Sequence, residues 1–431
     1  MNRRQFLAAS AAVSVSPARA SSGSAEPPRA APFLWGAATA AHQIEGNNVN
    51  SDYWLLEHLP DSGFAEPSGD ACDSWERWRE DVALVAAMGL NAYRFSIEWA
   101  RIEPEPGRFS RSVLDHYRRL SVACREAGIV PVVTFHHFTS PRWIAAMGGW
   151  EDARVVDRFV RYCATAATAL GDLVQYACTF NEPNAQVTSY VVAGGRQDPR
   201  ETRIRAEAAR ALGSDRFCAF FQGDAFRVRD NILAAHPRAV AAIKVAIPKA
   251  RVGMTLALQQ LSAAPGGEDL LGRVTRQARA PFFAAADNDD FVGVQSYNRD
   301  VFGPAGYLPT PADAERDASG QDASPGVLGA VVREVHGACH APIFVTENGI
   351  NTRDDTQRIR HLRTSIAGLD AAIRDGVPVL GYVHWSLLDN FEWSSGYTPR
   401  FGLVAVDRDT FRRTPKPSAA AYRDLVRAHQ G

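Results

Sequence analysis

Val174-Gln175-Tyr176-Ala177-Cys178-Thr179-Phe180-Asn181-Glu182-Pro183 decides how this chain is read. Val174–Phe180 is a short apolar run of β character, and it ends directly on Asn181-Glu182-Pro183. A second stretch repeats the pattern: the apolar Ile343–Val345 leads into Thr346-Glu347-Asn348-Gly349. Two carboxylates at the ends of separate parallel strands can face each other across a pocket. That is the minimum needed to cleave a glycosidic bond with retention, one acid and one nucleophile about 5–5.5 Å apart. A lone glutamate beside asparagine is more often a surface carboxylate or a helix-cap partner, so the rest of the chain must carry the reading.

Outward from these two points, strand-like and helix-like segments alternate. The predicted strands are Phe33–Ala37, Ala92–Ile97, Val130–Phe135, Val174–Phe180, Val252–Leu256, Phe291–Ser296, Ile343–Val345 and Val379–His384. Amphipathic stretches lie between them, among them Trp75–Met88, Ser112–Ala127, Ala153–Leu170, Ala219–His236 and Thr356–Arg374. Gly89 and Gly128 follow two of these as helix-terminating glycines do. Eight strands each followed by helical material suit a single (β/α)8 TIM barrel of the α/β class, or an open doubly wound sheet. Two features favour the barrel. No Gly-x-Gly-x-x-Gly turn follows the first strand. Polar residues of catalytic type also fall at the C-terminal ends of several different strands, where barrel enzymes build their sites. Pro304–Pro325 reads as a loop rich in Pro, Gly, Ala and Asp.

The 431 residues allow one large barrel domain, and neither a solenoid repeat nor a linker divides them. With 46% hydrophobic and 22% charged residues and a formal net charge of −1, no field points to nucleic acid or an anionic membrane as partner. Residues 1–20 read as a targeting segment: Arg3-Arg4, then Gln5-Phe6-Leu7, a small apolar run Ala8–Val15, and an Ala18-Arg19-Ala20 cleavage site. The paired arginines resemble a twin-arginine export signal, which implies an exported, periplasmic location. An ordinary secretory signal is the alternative. Residues 21–31 read as a flexible mature N-terminus and 32–431 as the barrel domain. The mature form is expected to be free of the membrane. None of the six cysteines are in Cys-x-x-Cys spacing, and mostly free thiols are expected.

The chain resembles family 1 of the glycoside hydrolases, the β-glucosidase/β-galactosidase family. The carrying segments are Phe33-Leu34-Trp35-Gly36-Ala37-Ala38-Thr39-Ala40-Ala41-His42-Gln43-Ile44-Glu45-Gly46, Tyr93–Trp99, Thr179–Pro183, Val345–Gly349 and His384–Trp393, in that order along nearly all of the mature chain. The resemblance implies that Glu182 is the general acid/base and Glu347 the nucleophile. It further implies that Arg94 and Tyr297 hold Glu347 charged and oriented. Gln43, His137, Asn181, Glu392 and Trp393 would contact sugar hydroxyls, with Trp385 stacking on the ring. His136 competes with His137, but Thr134–Pro141 aligns with the family segment only with His137 in register. No metal, flavin, nicotinamide or phosphate cofactor is implied, and the expected partner is a small-molecule glycoside. Nothing in the chain specifies an oligomeric state.

Departures from the family pattern fall in loops. Phe138 stands where the family usually has Trp, and Gln295-Ser296-Tyr297 replaces Asn-Tyr-Tyr. Asn47–Glu57, Val191–Arg200 and the loop around Pro325 lack the usual patterns. These changes leave the sugar chemistry intact and open the leaving-group preference. A phospho-β-glycosidase would usually replace Glu392 by Ser and add a Lys, whereas Glu392 is present and Ser394–Tyr397 has no Lys. A non-catalytic sugar-binding barrel is disfavoured because both carboxylates, Arg94 and Tyr297 remain. Transglycosylation shares its covalent intermediate with hydrolysis and stays open.

Overall fold

The computed structural model describes residues 32–196, 198–324 and 326–430. The targeting segment and residues 21–31 therefore lie outside the described residues. Eight strands are parallel and close on themselves: β1 (Leu34–Ala38), β2 (Ala92–Ser96), β3 (Val130–His136), β4 (Tyr176–Asn181), β5 (Arg251–Ala257), β6 (Phe291–Gln295), β7 (Ile343–Asn348) and β8 (Val379–Trp385). Each pairs with its sequence neighbours, and β1 pairs with both β2 and β8. This is the (β/α)8 barrel, and the open-sheet alternative is excluded by the closing β1–β8 ladder.

Alternation along each strand sorts the side chains into two cores. Leu34, Ala38, Ala92, Val132, Tyr176, Cys178, Phe291, Phe344 and Val383 form one buried cluster, with Trp385 at one end of it. The opposite faces, such as Trp35, Val133, Ala177, Val292 and Val345, pack against the helices. Arg94, two residues beyond Ala92 on the same face of β2, is completely buried. A guanidinium in that position is costly unless its charge and donors are answered, so its partners are the key to the site.

The helices Ser74–Ala87, Arg111–Glu126, Val155–Leu170 and Asp355–Arg374 match their amphipathic stretches closely. Gly89 and Gly128 take φ of 67° and 74° after the first two, the left-handed conformation that ends a helix. One helix departs from its expectation. It starts at Ala225, where Asp224 caps the Phe226 and Arg227 amides, and it runs through Pro237 to Ala246. Burial of Ala235, His236, Ala239 and Ile243 on one face outweighs the ~3 kcal/mol penalty of a helical proline. Within the stretch read as a loop, Pro304–Pro325, Gly306–Tyr307 forms a short strand. It pairs with Arg299–Gly303, which also pairs with Gln260–Ala263, in a small separate sheet. All six cysteines are buried and unpaired.

Candidate active site

The C-terminal ends of the strands open into a cleft of about 850 Å³. His137, Asn181, Glu182, Tyr297, Glu347, Trp385, Glu392 and Trp393 line it. Arg94 and Gln43, the other two expected site residues, do not line the cleft but are each fully buried and hydrogen-bonded to lining residues, Arg94 to Glu347 and Gln43 to Glu392. Residues from seven strand ends thus meet at one place, and the eighth strand, β5, contributes the supporting Thr255.

Local backbone irregularity aims the two glutamates. The β4–β5 register shifts between Cys178 and Asn181, and the β6–β7 register shifts between Val345 and Glu347. Such irregularities bend a strand and redirect the side chains beyond. Glu182 itself has φ of 48°, an uncommon conformation for a non-glycine residue, held by its N–H donating to Thr255 O at 2.8 Å. Beside Glu347, Gly349 is required by space: a Cβ there would lie 2.0 Å from the Trp385 carbonyl oxygen.

The environments of the two carboxylates differ sharply. Arg94 Nη1 donates to Glu347 Oε1, and Tyr297 Oη donates to Glu347 Oε2 at 2.5 Å. The Glu182 carboxyl receives no hydrogen bond from a described residue; it is perturbed by burial and by charges alone. Burial and the negative Glu347 push the Glu182 carboxyl up to about 8, against a smaller opposing pull from Arg94. Burial also raises Glu347, but Arg94 and the Tyr297 hydroxyl pull it back. Arg94 and Tyr297 thus favour the charged form of Glu347, whereas burial and repulsion favour the protonated form of Glu182.

Asn181 is oriented with equal care. Its Oδ1 accepts from Arg94 Nη2 at 2.6 Å, Gln295 Nε2 at 2.7 Å and Thr255 Oγ1 at 3.2 Å. With the carbonyl saturated, the amide NH2 is the end left to face the cleft. Gln295, which replaces the residue type usual in the family, thus serves as a donor to Asn181. Thr255 escaped the sequence reading because a single threonine in an apolar strand carries no distinguishing signal.

At the other wall, Trp385 Nε1 donates to Glu392 Oε1 at 3.2 Å. Gln43 Nε2 donates to Phe391 O at 2.7 Å and to Asn390 Oδ1 at 3.0 Å, tying the loop after β8 to the segment after β1. Burial pushes the Glu392 carboxyl up to about 8 despite the Trp385 bond. His137 lies parallel to Trp385, 15° between planes, and burial followed by Arg94 holds its imidazole neutral. His136 points elsewhere: it is buried among Trp150, Phe180 and Phe220 and meets Ser140 Oγ. Phe138 packs against Trp393 with ring centroids 5.0 Å apart. The outer cleft is bounded by the small sheet, through Leu261, Asp300, Tyr307 and Leu308. Among the described residues no group of three or more His, Cys, Asp or Glu could hold a metal ion, and no helix is long and apolar enough to cross a membrane.

A closed (β/α)8 barrel with paired carboxylates, polar donors and indole rings in one cleft defines a sugar-cleaving enzyme of the barrel type. The chain belongs to glycosyl hydrolase family 1, whose family model matches residues 28–286 and 313–431. It is similar to Beta-glucosidase A of Thermotoga maritima, 30% identical over 451 residues covering 92% of this chain and 97% of that one. Among solved structures it resembles beta-glycosidase BGL167, 48% identical with a TM-score of 0.89, covering 92% of this chain and 96% of that one. It also resembles beta-glucosidase 1317, 44% identical with a TM-score of 0.88, covering 92% and 98%. The protein is a β-glycosidase.

Proposed function

We propose that this enzyme hydrolyses terminal, non-reducing β-D-glucosyl residues by double displacement, with Glu182 as acid/base and Glu347 as nucleophile. The observation that carries the reading is the asymmetry of the carboxylates: Glu347 holds an arginine and a tyrosine hydroxyl, and Glu182 holds neither. Protonated Glu182 donates to the glycosidic oxygen as the C–O bond breaks. Ionised Glu347 attacks the anomeric carbon from the opposite face and forms a glycosyl ester. Its negative charge is then gone, so the Glu182 pKa falls and Glu182 takes a proton from the incoming water. The names of the similar proteins, beta-glucosidases in the main, support glucose as the sugar. Glu392, Trp393, Gln43, His137 and Asn181 are assigned to the sugar hydroxyls and Trp385 to its apolar face.

Proton NMR of the first sugar released from a β-glucoside tests this. The β anomer is expected before mutarotation, and initial α anomer would exclude two inversions. We further propose that Arg3-Arg4 and Ala18-Arg19-Ala20 mark twin-arginine export.

A further inference from the structure

Trp393 sits in the cleft wall on a backbone with φ of 53°, in a short turn after β8. Its indole lies nearly parallel to two imidazoles. His137, which lines the cleft, is 12° from parallel with centroids 6.0 Å apart. His42, which does not line it, is 3° from parallel at 5.6 Å. Tyr53 closes the edge at 5.2 Å and 71°.

His42 does not touch the cleft, and no step of the chemistry uses it. It is nevertheless fixed at both nitrogens. Nδ1 lies 3.0 Å from the Asn48 side-chain amide and Nε2 lies 2.6 Å from Glu57 Oε1, so both ring nitrogens are engaged. Both side chains are wholly inaccessible to solvent. Glu57 Oε2 accepts in turn from Ser68 N at 2.9 Å and Ser68 Oγ at 2.7 Å. The Ser68 carbonyl accepts from Tyr397 Oη, returning the chain of bonds to the loop that carries Trp393.

An apolar ring would fill the space beside Trp393 equally well. Burying an imidazole and a carboxylate instead costs desolvation that only a fully bonded geometry offsets. What such a network adds over apolar packing is a single ring orientation. We propose that His42, locked by Glu57 and Ser68, is a positioning residue for Trp393: it fixes the plane of the indole and so sets how sharply the cleft separates sugars that differ in their hydroxyls. This rests on the assignment of Trp393 to the sugar.

The test uses 4-nitrophenyl β-glucoside, β-galactoside and β-fucoside with the full-length enzyme. The double variant His42→Phe/Glu57→Gln keeps a ring and leaves no buried unpaired carboxylate. It is expected to change the glucoside:galactoside ratio of kcat/KM by about tenfold, since small misplacements at a reacting sugar are costly. In a Trp393→Phe background the same replacement should change the ratio less than about twofold, because the element it positions is gone. Ser68→Ala removes one donor to Glu57 and should shift the ratio in the same direction by about two- to threefold; it decides the matter if the double variant does not fold. An equal loss on all three sugars, or the same shift with and without Trp393, would make His42 a packing residue and overturn the proposal. If Trp393→Phe alone leaves the ratio unchanged, the assignment of Trp393 to the sugar fails instead. The two failures differ in whether Trp393→Phe moves the ratio.

Discussion

Tyr297 Oη donates to Glu347 Oε2 at 2.5 Å, while Arg94 occupies the other oxygen of the same carboxylate. Both lone-pair faces of one buried carboxylate are thereby committed, and Glu182 across the cleft is left to burial and repulsion. This asymmetry underlies the division of labour proposed for the two carboxylates.

Removing the tyrosine hydroxyl tests that division. A hydrogen bond to a charged group contributes about 1.5–3 kcal/mol, or roughly one to two pKa units. In Tyr297→Phe the acidic limb of the kcat/KM profile should therefore move up by about that amount, since Glu347 must be ionised to attack. The alkaline limb, assigned to Glu182, should stay in place. An unmoved acidic limb would show that Tyr297 does not act on Glu347.

Glu182→Gln removes the proposed proton donor while keeping size and polarity. Substrates with poor leaving groups should lose about 10²- to 10⁴-fold in the first step, and dinitrophenyl glucoside far less. Equal losses on both substrates in single-turnover measurements would withdraw the acid role from Glu182.

The same residue has an expected signature in stability. Its folded pKa, about 8, stands above the ordinary 4.5. The folded state therefore binds this proton more tightly than the unfolded state. The resulting stabilisation is fully present below the ordinary value and is lost as pH rises through the folded one. The Tm of Glu182→Gln relative to the parent should thus climb from about pH 5 to about pH 8 and level off above. A pH-independent difference would contradict the raised pKa. The alkaline limb of kcat/KM near pH 8 should disappear in the same variant.

Much of this was legible in the residues. All eight barrel strands stand where apolar runs end on polar residues, because a parallel strand buried on both faces leaves that pattern. The pairing of Glu182 with Glu347 followed from strand ends together with the family resemblance; neither glutamate names its partner. Other features depend on contacts between distant segments. The helix through Pro237 is decided by tertiary burial that overrides local propensity. The small sheet beside the cleft forms from Gln260–Ala263 and Arg299–Tyr307, short segments with weak periodicity. The Asn181 clamp needs Thr255 and Gln295 from neighbouring strands, and the His42–Glu57 pair joins two segments whose spacing has no motif.

Export is tested separately from catalysis. Replacing Arg3 and Arg4 by lysine should leave the precursor in the cytoplasm with its activity intact. Continued export of that variant would point to the general secretory route.

Glu347 is proposed to form the covalent bond to the sugar. A 2-deoxy-2-fluoro-β-glucoside with a dinitrophenyl leaving group slows both displacements, because fluorine destabilises the oxocarbenium-like transition states, but the good leaving group lets the first proceed. Mass spectrometry of the proteolysed, inactivated enzyme should find the fluorosugar on the peptide containing Val345-Thr346-Glu347-Asn348-Gly349, esterified to Glu347. Label on Glu182 or Glu392, or inactivation without any covalent sugar, would contradict it.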